Sequence, residues 1–130
     1  MRDEHMTLYG QYPQWNALAF HVYAFDRTLY ENAGTALATM TAYAEAWGID
    51  ELWITEFATP DVADMQRTLL LFEGYPKVTR IAWFIGQDDF ADPARDTSLV
   101  TCDYELSLTA FGEAYAEFEA RRVYVPVVTD

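Results

Sequence analysis

Short apolar segments recur along the chain, and a segment with helical periodicity follows each of them. The apolar segments are at residues 17–25, 51–57 and 80–85, and their spacing of about 30 residues is that of a strand–helix unit. They are short and rich in aromatic residues, which is typical of strands that are buried on both faces. Strands that alternate with helices form a parallel sheet covered by helices. The sequence therefore predicts an α/β fold.

Three segments have the apolar spacing of amphipathic helices. In the first, from Tyr30 to Trp47, apolar residues recur at i, i+3, i+4 and i+7, and Gly48 stands at the C-cap. Thr59-Pro60-Asp61 predicts the start of the second, with Thr59 as N-cap and Pro60 as the first helical residue. The third is predicted to begin near residue 107 or 109, and its predicted buried stripe is Leu108, Phe111, Tyr115 and Phe118.

The remaining segments show no regular period. We predict a loop over residues 1–16, an acidic segment without regular structure over 87–105, and a tail over 119–130 that is either a short edge strand or a remnant outside the fold. Residues 17–118 then hold the strand–helix units of a single domain that spans residues 1–130. Three such units are either a small open sheet or one end of a (β/α)8 barrel, which takes about 250 residues when complete.

Charge and composition exclude several classes of function. The chain has 8 Lys and Arg residues against 21 Asp and Glu residues, a net charge of −13, whereas nucleic-acid binding needs clustered cations. No apolar stretch approaches the roughly 20 residues of a membrane helix. With two His and one Cys there is no zinc-site spacing. The acidic segment could offer oxygen ligands to Ca²⁺, but it lacks the EF-hand pattern, so we expect no metal and no cofactor.

The end of the second strand carries a candidate catalytic carboxylate, Glu56. Because strand side chains alternate between faces, Leu52, Ile54 and Glu56 are predicted to share one face. The carboxylate would then lie at the mouth of a barrel, where active sites are found. The alternative is a solvated glutamate in a loop.

Two other strands offer candidate partners for that carboxylate. His21 and Tyr23 share a face of the first strand and could fix a neighbouring carboxylate by hydrogen bonds, or they could be a packed core pair. Trp83 on the third strand could stack on the apolar face of a sugar ring, or it could pack in the barrel wall.

Four segments in order resemble a known family: Ala19–Tyr23, Leu52–Ala58, Ile81–Phe84 and Leu108–Tyr115. Over residues 17–118 the chain resembles the C-terminal part of a clan A glycoside hydrolase, most closely the family 128 β-1,3-glucanases. The resemblance implies the C-terminal portion of a (β/α)8 TIM barrel, about strands six to eight with their helices.

For function, the resemblance implies that Glu56 is the nucleophile of a retaining mechanism, that His21 and Tyr23 lie beside it, and that Trp83 lines the sugar-binding cleft. It also implies a polysaccharide or oligosaccharide substrate and an extracellular or cell-wall location.

The chain departs from the family in its second catalytic group. Retaining hydrolysis needs two carboxyl groups about 5–5.5 Å apart, and the family's acid/base comes from an Asn-Glu-Pro type segment of the fourth strand, which this sequence lacks. Asp88 or Asp89 lies on a neighbouring loop, but nothing in the resemblance makes either the acid. We therefore expect a fragment of an enzyme that is inactive alone. If the fragment exists alone, association with another chain, such as a second copy, is the simplest way to cover its strand edges.

Two other functions remain open at this point. The first is a non-catalytic glycan-binding module that uses Trp83 and Tyr23 as a stacking surface. The second is a small α/β oligomer unrelated to glycosidases, although a flavodoxin-like version needs a glycine-rich phosphate loop after the first strand, and Asp26-Arg27-Thr28 is not one.

Overall fold

The chain folds around a small parallel sheet. The computed structural model describes residues 2–12, 14–24, 26–84, 97–101 and 107–118. The strands are β1 (Ala17–Tyr23), β2 (Glu51–Ala58) and β3 (Val78–Trp83), and the helices are α1 (Arg2–Tyr9), α2 (Leu29–Trp47), α3 (Val62–Glu73) and α4 (Ala110–Ala116). The three strands are parallel in the order β1-β2-β3. The predicted α/β fold with a parallel sheet is confirmed, and its membership of a barrel stays a prediction.

Helix α2 has strong signals at both ends. The Thr28 hydroxyl accepts a hydrogen bond from the Glu31 backbone N–H, and the Glu31 side chain accepts one from the Thr28 N–H, which makes a capping box. Gly48 ends the helix with a φ of 67°, a left-handed conformation that costs glycine little. The helix therefore begins and ends within one residue of the prediction.

Helix α3 starts later than predicted. Its N-cap is Asp61, whose carboxylate accepts hydrogen bonds from the N–H groups of Ala63 and Asp64. The prediction of Thr59 as N-cap is wrong because the Thr59 hydroxyl instead donates to the Asp64 carboxylate. Pro60 consequently precedes the helix.

Asp64 joins the beginnings of α2 and α3. Its carboxylate is 3% exposed and accepts hydrogen bonds from the N–H groups of Leu29 at 2.6 Å and Tyr30 at 3.2 Å, in the first turn of α2. Arg67 pairs with it at 3.2 Å. An anion at a helix N-terminus meets unpaired N–H groups and the positive end of the helix dipole, so this one side chain stabilises the packing of two helices.

The N-terminal loop prediction is wrong over α1. Asp3 and Glu4 lie in its first turn, where they favour a helix, and Gly10 follows its end with a φ of 70°. The described side chains of α1 are mostly exposed. An exposed helix has no apolar stripe, which is why the sequence showed no period there.

The main core lies between the sheet and helices α2 and α3. Its fully buried side chains include Leu52, Ile54 and Phe57 of β2, Leu37 of α2 and Leu69 of α3.

Helix α4 begins after Thr109, its N-cap, and buries Tyr115 as predicted. Leu108 was predicted to be buried but is 50% exposed, because it precedes the helix and pairs with Val100 in an antiparallel bridge. The tail over 119–130 and most of the acidic segment lie outside the described residues. Within those that are described, no helix is long and apolar enough to cross a bilayer.

Candidate active site

A β-bulge near the end of β2 decides where Glu56 lies. Phe20 of β1 pairs with Ile54 of β2, but the next residue of β1, His21, pairs with Glu56. Thr55 is therefore an extra residue in β2, and it shifts the alternation by one. Ile54 and Phe57 are both fully buried, whereas Glu56 lies with His21 on the opposite face. The prediction that Glu56 shares a face with Leu52 and Ile54 is wrong for this reason.

The structure brings Glu56, His21 and Tyr23 together. The Tyr23 hydroxyl donates a hydrogen bond to Oε2 of Glu56, and Nδ1 of His21 lies 3.3 Å from the same oxygen. The side chains of His21 and Glu56 are 51% and 34% exposed, so the carboxylate is reachable from solvent.

Burial, the hydrogen bond to Glu56 and the charge of that carboxylate raise the pKa of Tyr23 to about 12. Tyr23 therefore stays protonated and donates to Glu56 at neutral pH.

Two further residues hold Tyr23 in place, and the sequence reasoning missed both. The Asn32 side-chain amide, in α2, donates to the Tyr23 carbonyl at 2.9 Å. The ring of Phe84 meets the ring of Tyr23 nearly at right angles, with centroids 6.0 Å apart. Alternation along β3 was the signal available for Phe84, since consecutive residues of a strand face opposite sides.

Trp83 lies on the other face of the sheet. It is 8% exposed, it stacks on Phe111 of α4 with centroids 5.6 Å apart, and it meets Phe57 edge to face. Its indole N–H donates to the Thr97 carbonyl at 2.6 Å. The Trp83 ring and its indole N–H thus both have partners inside the fold, as expected of a residue that packs in the wall of the sheet. The structure does not place Trp83 beside Glu56.

A second polar cluster lies at the start of β2. The Glu51 carboxylate accepts hydrogen bonds from the Trp53 indole and the Thr79 hydroxyl, each at 2.8 Å. These bonds lower the pKa of Glu51. Arg80 lies over the Trp53 ring, 4.3 Å from its centroid, a cation–π contact. Glu51 is thus a second carboxylate of the same strand, with different partners from Glu56.

Among the residues with described positions, no three His, Cys, Asp or Glu side chains gather as metal ligands would. Asp88 and Asp89, considered above as the second catalytic carboxyl group, lie outside the described residues.

Comparison with known proteins gives one match. A family model described as glycosyl hydrolase catalytic core matches residues 4–115, a range that begins within α1, takes in β1, β2 and β3, and ends within α4. No curated protein matches, and no solved structure does.

Proposed function

The chain belongs to the glycosyl hydrolase catalytic core family, and on that premise we propose that it carries the nucleophile, Glu56, of a retaining β-glucanase. One observation supports this most: the Tyr23 hydroxyl and His21 Nδ1 converge on one oxygen of a solvent-reachable carboxylate near the C-terminal end of a parallel strand. Active sites of barrel enzymes lie at that end. We further propose family 128 membership, a β-1,3-glucan substrate and the C-terminal portion of a TIM barrel, on the four sequence segments described above.

The chemistry proposed for Glu56 is nucleophilic attack. Tyr23 and His21 hold Oε2, so we assign Oε1 as the atom that attacks the anomeric carbon. The bond from that carbon to the leaving oxygen breaks, and the leaving oxygen takes a proton from a general acid. Water, deprotonated by the same group, then attacks the anomeric carbon and releases Glu56 as a carboxylate.

The general acid in this proposal belongs to another strand of a complete barrel. A retaining enzyme needs it about 5–5.5 Å from the nucleophile. We therefore propose that the chain is a portion of its enzyme and that, alone, it does not hydrolyse natural glucans. The natural substrate has a poor leaving group and depends on the acid, whereas an activated substrate does not.

That difference provides the test. A 2-deoxy-2-fluoro-β-glucosyl donor with a dinitrophenolate leaving group needs no general acid, and its fluorine slows the second step, so the glycosyl-enzyme intermediate accumulates. We expect intact-mass analysis of the chain to show one added fluoroglucosyl group. Peptide mapping should place it on Glu56, with release of one equivalent of dinitrophenolate.

Two variants control this experiment. Glu56→Gln should abolish the labelling because an amide is a poor nucleophile. Glu51→Gln, on the same strand, should be labelled like the wild type. Labelling that persists in Glu56→Gln, or that maps to another carboxylate, would show that Glu56 is not the nucleophile.

A second function, glycan binding without catalysis, is favoured by the half-buried aromatic pair Tyr23 and Phe84 beside Glu56. If the chain only binds glycans, it should bind laminarin without covalent labelling of Glu56, and Phe84→Ala should bind laminarin more weakly. In either case we propose a glycan partner and, from the sequence resemblance, an extracellular or cell-wall location.

A further inference from the structure

We propose that Phe84 is a positioning residue for the candidate nucleophile: its ring holds the phenol of Tyr23 in the orientation in which it donates to Glu56. The inference rests on the proposed role of Glu56 and extends that site to the residue that follows β3. Phe84 touches Tyr23, and it acts on the carboxylate through Tyr23.

The backbone of Phe84 is fixed on two sides. Its N–H donates to the Phe57 carbonyl of β2 at 3.0 Å, and its own carbonyl accepts a hydrogen bond from the Thr97 hydroxyl at 2.9 Å. The preceding residue, Trp83, is locked in the core by its stack on Phe111. Because neighbouring residues point to opposite faces, this anchoring directs the Phe84 ring toward Tyr23.

The contact itself has the geometry of a preferred aromatic pair. The two rings stand at 88° with centroids 6.0 Å apart, an edge-to-face arrangement in which a positive ring edge meets a negative ring face. A ring held in this way limits rotation of the Tyr23 side chain and keeps water from one side of it. The phenol is therefore kept in the orientation in which its hydroxyl donates to Glu56.

Titratable groups of two strands face Tyr23. Glu56 of β2 accepts its hydrogen bond, and the ring of His21 on β1 meets it edge to face with centroids 6.4 Å apart. Burial is the largest cause of the raised pKa of Tyr23, so that titration reports how well neighbours such as Phe84 shield the phenol.

The test titrates Tyr23 in the full 130-residue chain. Phenolate absorbance is followed with rising pH, and the difference from the same titration of Tyr23→Phe isolates the one tyrosine. In Phe84→Ala we expect the pKa of Tyr23 to fall from about 12 toward its ordinary value of 10.0, because water reaches the phenol. In Phe84→Leu, which keeps most of the side-chain volume, we expect it to stay near the wild-type value.

The control for a general loss of stability is Phe72→Leu. Phe72 makes a comparable edge-to-face contact with Phe57, with centroids 5.1 Å apart, but in the core beneath the sheet. This variant should unfold at lower urea while the titration of Tyr23 stays unchanged. If Phe84→Ala does not fold, Phe84→Val takes its place with the same expected fall.

The labelling experiment separates this inference from the proposed function. We expect Phe84→Ala to be labelled about tenfold more slowly than the wild type, since a misplaced reacting group costs rate steeply. An unchanged Tyr23 titration in a folded Phe84→Ala chain overturns the positioning role. If the pKa of Tyr23 falls in Phe84→Ala but the wild-type chain takes no label, Phe84 positions Tyr23 and Glu56 is not the nucleophile.

Discussion

Two helical glycines of this chain should respond in opposite directions to the same substitution. A Cβ atom added at Gly112, in α4, would lie 2.0 Å from the Leu99 carbonyl oxygen and 3.0 Å from Cδ2 of Leu108. A Cβ added at Gly34, inside α2, meets nothing within 4 Å. Gly112 therefore allows α4 to approach the backbone at Leu99, whereas Gly34 serves no such contact.

The expected sizes follow from these distances. Gly34→Ala should stabilise the chain by about 0.5–1 kcal/mol, the difference between the two residues inside a helix. Gly112→Ala gains a similar amount from helix propensity. However, α4 and Leu99 must separate by about 1 Å before the new Cβ lies even 3.0 Å from the Leu99 carbonyl oxygen. Overpacking of this kind costs about 1–3 kcal/mol or more, so we expect a net loss of about 1–2 kcal/mol.

Urea unfolding of the wild type and both variants, followed by far-ultraviolet circular dichroism, measures the two changes. Tryptophan fluorescence adds a second readout, because Trp83, one of the four tryptophans, stacks on Phe111, which precedes Gly112. If Gly112→Ala is as stable as the wild type, α4 does not approach Leu99 in this way. The buried position assigned to Trp83 would then lose its support as well.

Three further predictions concern the carboxylates, the tyrosines and the bulge. Asp64→Ala should cost about 2–3 kcal/mol in urea unfolding because it leaves the N–H groups at the start of α2 without their buried acceptor. The exposed cap in Asp61→Ala should cost only about 1 kcal/mol, and equal losses would contradict the role of Asp64 in joining α2 and α3. Burial raises the pKa of both Tyr23 and Tyr115 to about 12 from 10.0, so their stabilisation is fully present below pH 10 and is lost as pH rises through about 12. The free energy of unfolding of Tyr23→Phe should therefore depend less on pH in that range than that of the wild type. An unchanged dependence would show that the pKa of Tyr23 is not raised by folding. Deleting Thr55 should change the free energy of unfolding by less than about 1 kcal/mol, because the deletion restores regular pairing; an unfolded product would contradict the bulge.

Much of the fold could be predicted because its determinants are local. The apolar strands and the C-cap Gly48 are visible in short windows of sequence. The capping box of Thr28 and Glu31 is local as well, although it was not among the predictions. The start of α3 could not be chosen locally, since Thr59 and Asp61 are both good caps. The choice depends on Asp64, which accepts hydrogen bonds from both Thr59 and the distant Leu29. Such a contact across 35 residues leaves no periodic signal.

The site was partly predictable for a related reason. The pairing of His21 and Tyr23 with Glu56 follows from adjacent strands, but strict alternation would place the Glu56 carboxylate in the helix-covered core with Ile54, where an unpaired charge is costly. The extra residue Thr55 removes that conflict, because it returns Glu56 to the solvent-reachable face and Phe57 to the core.

The same shift reaches the neighbouring strand. Phe57 pairs with Trp83, so Trp83 follows Phe57 into the core and Phe84 takes the face of Tyr23. A bulge is a property of how strands pair and is not visible in any one of them. One inserted residue therefore selects both the face that Glu56 occupies and the residue, Phe84 rather than Trp83, that packs against Tyr23 on that face.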